Sequence, residues 1–251
     1  MTDNRPGAQI ALVTGANKGI GREITRRLAA EGMTVYLGAR DATRGRAAAD
    51  DLAGDGVDVR FLQLDVTDPA EIDAAVKQVD EECGWLDVLV NNAGVALEWG
   101  SSVAEVTVEQ MRRTFEVNVF GVVAVTRACI PLLRQSSAAR VVNISSPLGS
   151  LSLIDDPDDV VSSVGMLAYS SSKTALNAVT LLYANALQPD AITVNAVSPG
   201  FVATDLNHHR GQLTVEQGAE LPVRLALLGA DGPTGTFLRH DDRGAQQVVP
   251  W

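Results

Sequence analysis

Thr14-Gly-Ala-Asn-Lys-Gly-Ile-Gly21 is a glycine-rich turn between an apolar run and an amphipathic stretch, and it sets the fold class expected for this chain. Residues 10–14 before it have the pattern of a buried strand, and residues 19–31 have the apolar periodicity of a helix that ends at Gly32. A strand, such a turn and a helix N-terminus together bind the phosphates of a dinucleotide, because backbone N–H groups and the positive end of the helix dipole point at them. A plain Gly-rich connection is the alternative, but the strand before and the helix after favour binding.

Strand and helix patterns alternate along the rest of the chain. Further strands are predicted at residues 34–37, 57–64, 88–91, 140–145, 193–197 and 235–238, and further helices at residues 42–53, 69–82, 108–133 and 167–187. This alternation predicts a single α/β domain over residues 1–251, a doubly wound parallel sheet of about seven strands with helices on both faces. Ligands of such sheets bind outside the carboxyl ends of the strands. Gly15, Asn91, Ser146 and Ser198 follow strand ends, so we expect them to meet in one crevice.

Composition and charge limit the classes of function and location. Asp and Glu number 31 against 20 Lys and Arg, and this net charge of −11 disfavours nucleic acid as a partner. No uncharged apolar run reaches 18 residues and the N-terminal segment is polar, so we expect a cytoplasmic protein with no membrane partner. Cys83 and Cys129 fit buried thiols, and no cysteine/histidine cluster has zinc spacing, so no metal is expected.

Three later motifs indicate the chemistry: Asn91-Asn-Ala-Gly94, Asn143-Ile-Ser-Ser146 and Tyr169-Ser-Ser-Ser-Lys173. Each is weak alone, but in this order after the glycine-rich turn they indicate a site where a nicotinamide cofactor meets a carbonyl. Reduction of a carbonyl places negative charge on its oxygen and requires a proton. Tyr169 can supply both a hydrogen bond and the proton. Lys173 follows it on the same helix face, and we expect its charge to lower the tyrosine pKa from about 10 and its amine to hold the nicotinamide ribose.

The glycine spacing and the Asn-Asn-Ala-Gly and Tyr-x-x-x-Lys motifs resemble the short-chain dehydrogenase/reductase family, over nearly the whole chain. The resemblance implies a Rossmann-type domain with Asn118, Ser146, Tyr169 and Lys173 as catalytic residues. Ser146, rather than its rival Ser145, would donate a second hydrogen bond to the substrate oxygen. Asn118 would position a proton-relay water, with a helix cap or surface amide as the alternative.

The residues after the second strand decide between NAD and NADP. An acid there binds the adenosine ribose, whereas Arg accommodates a 2′-phosphate. Ala39 stands where the family's NAD enzymes carry the acid, followed by Arg40 and Arg44, and Lys18 lies in the glycine-rich loop. We therefore expect NADP(H), although solvated surface charges remain the alternative for the two arginines. The cofactor-binding set, in large part implied by the resemblance, is Gly15, Asn17, Lys18, Gly19, Ile20, Gly21, Arg40, Arg44, Asp65, Val66, Asn91, Ala93, Gly94, Tyr169, Lys173, Pro199, Gly200, Val202 and Thr204.

Several segments resemble the carbonyl reductase branch of the family, among them Asn17-Lys18, residues 39–45, residues 218–222 and the terminal Trp251. That branch carries a long insertion between the catalytic serine and tyrosine, which is much shorter here. Its remnant, residues 153–160, is acidic and is predicted to be a loop beside the crevice. A monomer or homodimer is expected.

Apolar side chains around the predicted crevice favour a small apolar or aromatic carbonyl substrate. The predicted substrate-binding residues are Trp99, Ser146, Leu148, Tyr169 and Phe201, with residues 201–220 as a lid segment. The sequence thus predicts an NADPH-dependent reductase of ketones, aldehydes or quinones. A biosynthetic ketoreductase or alcohol dehydrogenase with one narrow substrate is the alternative. A non-catalytic NADP(H)-binding sensor is disfavoured because the catalytic residues are present.

Overall fold

A computed structural model describes residues 8–240 and 244–251 and contains one eight-stranded sheet. The strands are β1 (Ile10–Val13), β2 (Thr34–Ala39), β3 (Val59–Gln63), β4 (Val88–Asn91), β5 (Arg140–Ile144), β6 (Thr193–Val197), β7 (Phe237–His240) and β8 (Gln246–Val248). Their order is β3-β2-β1-β4-β5-β6-β7-β8, with the first seven parallel. The order reverses between β1 and β4, which places the ligand crevice of such a sheet at their carboxyl ends. The Rossmann-type α/β fold is confirmed.

The predicted strand number was one too low, because β8 adds an antiparallel edge strand beside β7. Its three residues are exposed and two of them are Gln, so no apolar run marks them as a strand. Long-range packing holds them instead: Val249 is buried, and the Trp251 ring stacks on Phe237 with centroids 5.7 Å apart.

Helices cover both faces of the sheet, as the alternating pattern predicts. They are α1 (Gly19–Ala30), α2 (Ala42–Ala53), α3 (Pro69–Glu82), α4 (Val108–Phe115), α5 (Val122–Leu133), α6 (Leu151–Asp155), α7 (Leu167–Leu187) and α8 (Val215–Ala226). Alternate residues of each strand point to opposite faces. Val13 and Leu37 therefore pack with α1, α2 and α8, whereas Leu12 and Tyr36 pack with α3, α5 and α7.

The single helix predicted over residues 108–133 is in fact two helices joined by a π-helical turn, Glu116–Gly121. The backbone comes close to Val66 at this turn, since a Cβ on Gly121 would lie 2.8 Å from Val66 Cγ2. By length and composition alone Val108–Leu133 could cross a membrane. Half of its most apolar window is buried inside the protein, against α3 and α7, which is the setting of a core helix.

The acidic segment at residues 153–160 is only partly the predicted loop. Its first residues belong to α6, where Leu153 is buried against Phe237. Helix α6 is tied to the C-terminal segment, because Ser150 Oγ donates to the Pro250 carbonyl at 2.6 Å and Ser152 Oγ to the Trp251 carbonyl at 3.0 Å. These long-range bonds, which the local acidity does not reveal, hold the segment in place.

Candidate active site

A cavity of about 740 Å³ opens at the carboxyl ends of the central strands. Most of the predicted site residues line it: Gly15, Asn17, Lys18, Gly19, Ile20, Gly21, Arg40, Asp65, Val66, Ala93, Gly94, Trp99, Ser146, Leu148, Tyr169, Lys173, Pro199, Gly200, Phe201, Val202 and Thr204. Three predicted residues, Arg44, Asn91 and Asn118, lie outside its walls. Ser198, expected in the same crevice, is buried, and its hydroxyl accepts the Gly200 N–H at 3.2 Å.

The glycine-rich loop needs its glycines for two different reasons. Gly15 and Gly19 have φ values of +62° and +57°, a region that other residues rarely adopt. Gly21 has no such requirement, but a Cβ there would lie 2.4 Å from Asn92 Nδ2 and 2.8 Å from the Gly15 carbonyl oxygen. The loop therefore lies close against the strand ends and leaves a cradle of backbone at the start of α1, which fits a dinucleotide phosphate group.

Asn92, rather than the predicted Asn91, faces the cavity. Asn92 Nδ2 donates to the carbonyls of Thr14 and Gly15 at 2.9 and 3.1 Å, so it supports the glycine-rich loop. Asn91 is 2 % exposed, and its Nδ2 binds Asn143 Oδ1 at 2.8 Å beneath the cavity floor. Successive residues at a strand end point to opposite sides, and the motif alone does not say which one faces the ligand.

Tyr169, Lys173 and Ser146 meet at one end of the cavity. Lys173 is 5 % exposed, its Nζ donates to the Ile144 carbonyl at 2.8 Å, and it lies 5.5 Å from the centre of the Tyr169 ring. Ser146 lines the same end of the cavity, where its Oγ accepts the Leu148 N–H at 3.3 Å. The rival Ser145 is buried and donates to Asn177 Oδ1 at 2.6 Å, so its hydroxyl is occupied within the core.

Burial governs the protonation of both groups on α7. It raises the pKa of Tyr169 to about 12, and the nearby Ser146 hydroxyl offsets only part of this rise. Burial also lowers the pKa of Lys173 to about 8. The tyrosine pKa is therefore raised rather than lowered as the sequence predicts, because burial disfavours the charged form of each group. The phenol consequently stays protonated throughout the neutral range.

Asn118 lies in the π-helical turn and is completely buried. Its side chain grips the loop after β4: Oδ1 accepts the Val95 N–H and Nδ2 donates to the Val95 carbonyl, both at 2.9 Å. Nδ2 also donates to Ser172 Oγ on α7 at 3.0 Å. Asn118 is therefore neither an amide on the helix surface nor a helix cap, the two alternatives to a catalytic role. Its side chain joins a cavity wall to α7, the helix that carries Tyr169.

The wall loop, residues 95–100, also contacts the opposite side of the cavity mouth. Trp99 Nε1 donates to the Leu206 carbonyl at 2.7 Å, and the Arg210 guanidinium lies 6.0 Å from the Trp99 ring centre. Glu98, which the sequence motifs did not single out, is buried beneath this contact at 2 % exposure. The sequence feature that could have pointed to Glu98 is its position as a single acidic residue in an otherwise apolar loop.

The predicted lid segment, residues 201–220, divides into two parts. Residues 201–214 form a loop over the cavity, with Val202 paired to Leu213, whereas residues 215–220 belong to α8 and pack on α1. Cβ atoms on Gly211 and Gly218 would collide with Val202, so both glycines permit close packing at this point.

Charged groups at the mouth are partly paired. Lys18 Nζ in the glycine-rich loop lies 2.5 Å from Asp205 Oδ2, and Asp205 also contacts His209 Nε2 at 2.8 Å. Arg40 is exposed on the cavity wall beyond the end of β2. Arg44 points elsewhere, with a 72 % exposed side chain 3.5 Å from Asp41, which matches the surface-charge alternative for this residue.

Comparisons with known proteins agree with this geometry. The family model described as short chain dehydrogenase matches residues 9–213. The (+)-neomenthol dehydrogenase of Arabidopsis thaliana is 36 % identical, over 94 % of this chain and 97 % of its own. Carbonyl reductase [NADPH] 3 of Mus musculus is 36 % identical, over 92 % and 96 %. The crystal structure of NADPH-bound carbonyl reductase from chicken fatty liver superposes with a TM-score of 0.84 at 29 % identity, covering 98 % of this chain and 100 % of that one. The chain therefore belongs to the short chain dehydrogenase family of oxidoreductases.

Proposed function

We propose that this protein is an NADPH-dependent carbonyl reductase that acts on ketones, aldehydes or quinones, with Tyr169 as the general acid. The observation that carries the proposal is the contact of Tyr169, Ser146 and buried Lys173 at one end of a cavity whose other end is the glycine-rich loop. Hydride donor and proton donor would then meet at one carbonyl group.

The end of β2 favours NADPH over NADH. Ala39 leaves no carboxylate where a ribose 2′-hydroxyl would be bound, and Arg40 lies on the cavity wall next to it. Lys18 is the second positively charged residue at the cavity mouth. On NADPH binding, its amine would leave Asp205 for the 2′-phosphate or contact both groups at once. The similarity to carbonyl reductase [NADPH] 3 of Mus musculus and to the NADPH-bound carbonyl reductase from chicken fatty liver supports the same choice.

The residues of this chain would each perform one step. The bound nicotinamide would supply hydride to the carbonyl carbon. Tyr169 and Ser146 would donate hydrogen bonds to the carbonyl oxygen, and Tyr169 would give up its proton as negative charge develops there. A pKa of about 12 keeps that proton on Tyr169 until the reaction occurs. Lys173 would hold the nicotinamide ribose and stabilise the resulting phenolate.

The substrate pocket favours an apolar or aromatic carbonyl compound. Its walls include Leu97, Trp99, Leu148, Met166 and Phe201, beside the polar pair at the reacting end. A narrow biosynthetic ketoreductase is the second candidate, because relatives include proteins named neomenthol dehydrogenase and salutaridine reductase.

The test is NADPH oxidation against a panel of quinones, aromatic aldehydes and cyclic ketones, with NADH in parallel. Tyr169→Phe should lower kcat by at least about 10²-fold and leave NADPH affinity unchanged. The matched control is Tyr183→Phe on the same helix, whose hydroxyl donates to the Val123 carbonyl away from the cavity. Most of the activity remaining in Tyr169→Phe would refute the assigned role. Tight NADPH binding without turnover of any compound would favour the narrow enzyme or a sensor.

A further inference from the structure

We propose that Glu98 is a positioning residue that holds Tyr169 in its reactive place by binding the backbone at the start of α7. The inference rests on the proposed function, since it concerns the same general acid. Glu98 binds Ala168 and Tyr169 through their backbone N–H groups, so its action is through the main chain.

The two carboxylate oxygens of Glu98 each accept one backbone N–H. Oε2 accepts from Ala168 at 2.8 Å and Oε1 from Tyr169 at 2.7 Å. Such N–H groups in the first turn of a helix have no partner within the helix. The residue at the helix boundary, Met166, has no side-chain cap, so Glu98 supplies the cap from the wall loop.

The side-chain caps of α2, α3, α4 and α8 are local and exposed. Thr107 and Thr214 cap α4 and α8 from the adjacent residue, with hydroxyls that accept an N–H three positions later. Glu98 comes from some seventy positions away in sequence and is 2 % exposed. Burying a carboxylate is costly unless it is fully hydrogen-bonded, and a nearby Ser or Thr would satisfy a helix end at lower cost. What the distant carboxylate adds is a rigid connection between the helix start and the cavity wall.

That connection belongs to a continuous set of contacts around the site. Asn118 fixes the beginning of the wall loop through both backbone groups of Val95, and Trp99 joins its end to the Leu206 carbonyl. Glu98 lies between these anchors. The position of Tyr169 is thus set by the same loop that walls the substrate pocket.

Lys173 is anchored separately, one turn along α7, through the Ile144 carbonyl. Loss of the Glu98 contacts would free the start of the helix while the lysine stayed in place. The tyrosine hydroxyl would then shift relative to the substrate carbonyl, and misplacement by about 1 Å costs on the order of 10²-fold in rate. The effect should fall on kcat, because the phosphate-binding glycine-rich loop is not attached to Glu98.

Glu98→Gln and Glu98→Ala test the proposal, with Asp68→Asn as the matched control. Gln keeps one acceptor and places an amide N–H₂ against the other donor, whereas Ala removes both acceptors. Asp68 is an exposed carboxylate that caps α3 through Ala70 and Glu71, and it does not line the cavity. The readouts are kcat, the NADPH dissociation constant, the melting temperature, and amide hydrogen exchange of residues 166–173.

We expect kcat to fall about 10-fold in Glu98→Gln and about 10²-fold in Glu98→Ala, with NADPH affinity within about two-fold of wild type. Exchange should be faster at Ala168 and Tyr169 in both variants, while Asp68→Asn keeps the wild-type kcat. Wild-type kcat in a folded Glu98→Ala protein would overturn the proposal, and so would parallel loss of turnover and NADPH binding. If the wild type itself reduces no carbonyl compound, the proposed function fails instead, and unchanged exchange at residues 168–169 would still refute the contact.

Discussion

Replacing Lys173 by Met should stabilise the folded protein near neutral pH while it removes turnover. The lysine is 5 % exposed, and burial lowers its pKa from 10.5 to about 8. Below pH 8 the folded protein must keep a proton on a buried amine, which costs free energy. The gap between 10.5 and about 8 corresponds to about 3.4 kcal/mol of unfolding free energy.

The sign of the pH dependence follows from the same pKa difference. Between about pH 8 and 10.5 the unfolded chain keeps the proton of Lys173 and the folded chain loses it, so wild-type stability rises with pH in this window. Met has no proton to lose. Replacing Lys173 also removes its hydrogen bond to the Ile144 carbonyl, and this loss costs about 1–3 kcal/mol of unfolding free energy at every pH. The net gain of Lys173→Met is therefore about 0.5–2.5 kcal/mol at neutral pH.

Urea denaturation of the cofactor-free proteins near pH 7 and near pH 10 measures this effect. The stability difference between variant and wild type should shift by about 2.5 kcal/mol in favour of wild type between the two conditions. The constant cost of the lost hydrogen bond and the titration of other groups cancel in this comparison. Lys77→Met is the control, since that side chain is 73 % exposed and should give no shift. A difference that stays the same at both pH values would refute the buried-amine reasoning.

Two further substitutions test the cofactor end. Arg40→Ala should weaken NADPH binding roughly 10- to 100-fold and leave NADH binding unchanged, because a charge-assisted hydrogen bond to the 2′-phosphate is lost. Arg44→Ala is the control and should have little effect on either cofactor. Titration of each variant with NADPH and with NADH measures both affinities. Gly21→Ala should cost about 1–3 kcal/mol in thermal or urea unfolding and weaken NADPH binding, since its Cβ would meet the Gly15 carbonyl, while Gly229→Ala, with open space around it, should be neutral. If Arg40→Ala and Arg44→Ala weakened NADPH binding equally, or if Gly21→Ala and Gly229→Ala changed stability equally, the assigned positions of Arg40 and Gly21 would be refuted.

Features that depend on neighbouring residues were readable without coordinates. The tight strand-to-helix turn at Gly15 follows from the glycine-rich pattern, and the shared face of Tyr169 and Lys173 follows from the helical repeat. The parallel sheet and its crevice follow from the order of apolar runs and amphipathic stretches. These features depend on a few neighbouring residues or on the order of the elements along the chain, so they can be predicted from a single sequence.

Contacts between distant segments decided the rest. Which of two adjacent asparagines faces the cavity depended on how the end of β4 meets β5, and this made Asn92 rather than Asn91 the cavity residue. The direction of the Tyr169 pKa shift depended on total burial, whereas the local spacing pointed only to Lys173. Glu98 reaches α7 only because the wall loop folds over the start of that helix. The sequence by itself determined the fold class and indicated the candidate reacting side chains, because spacing and backbone conformation are local. Only the tertiary structure decided the orientation, protonation and support of those side chains, because each depends on groups brought together by folding.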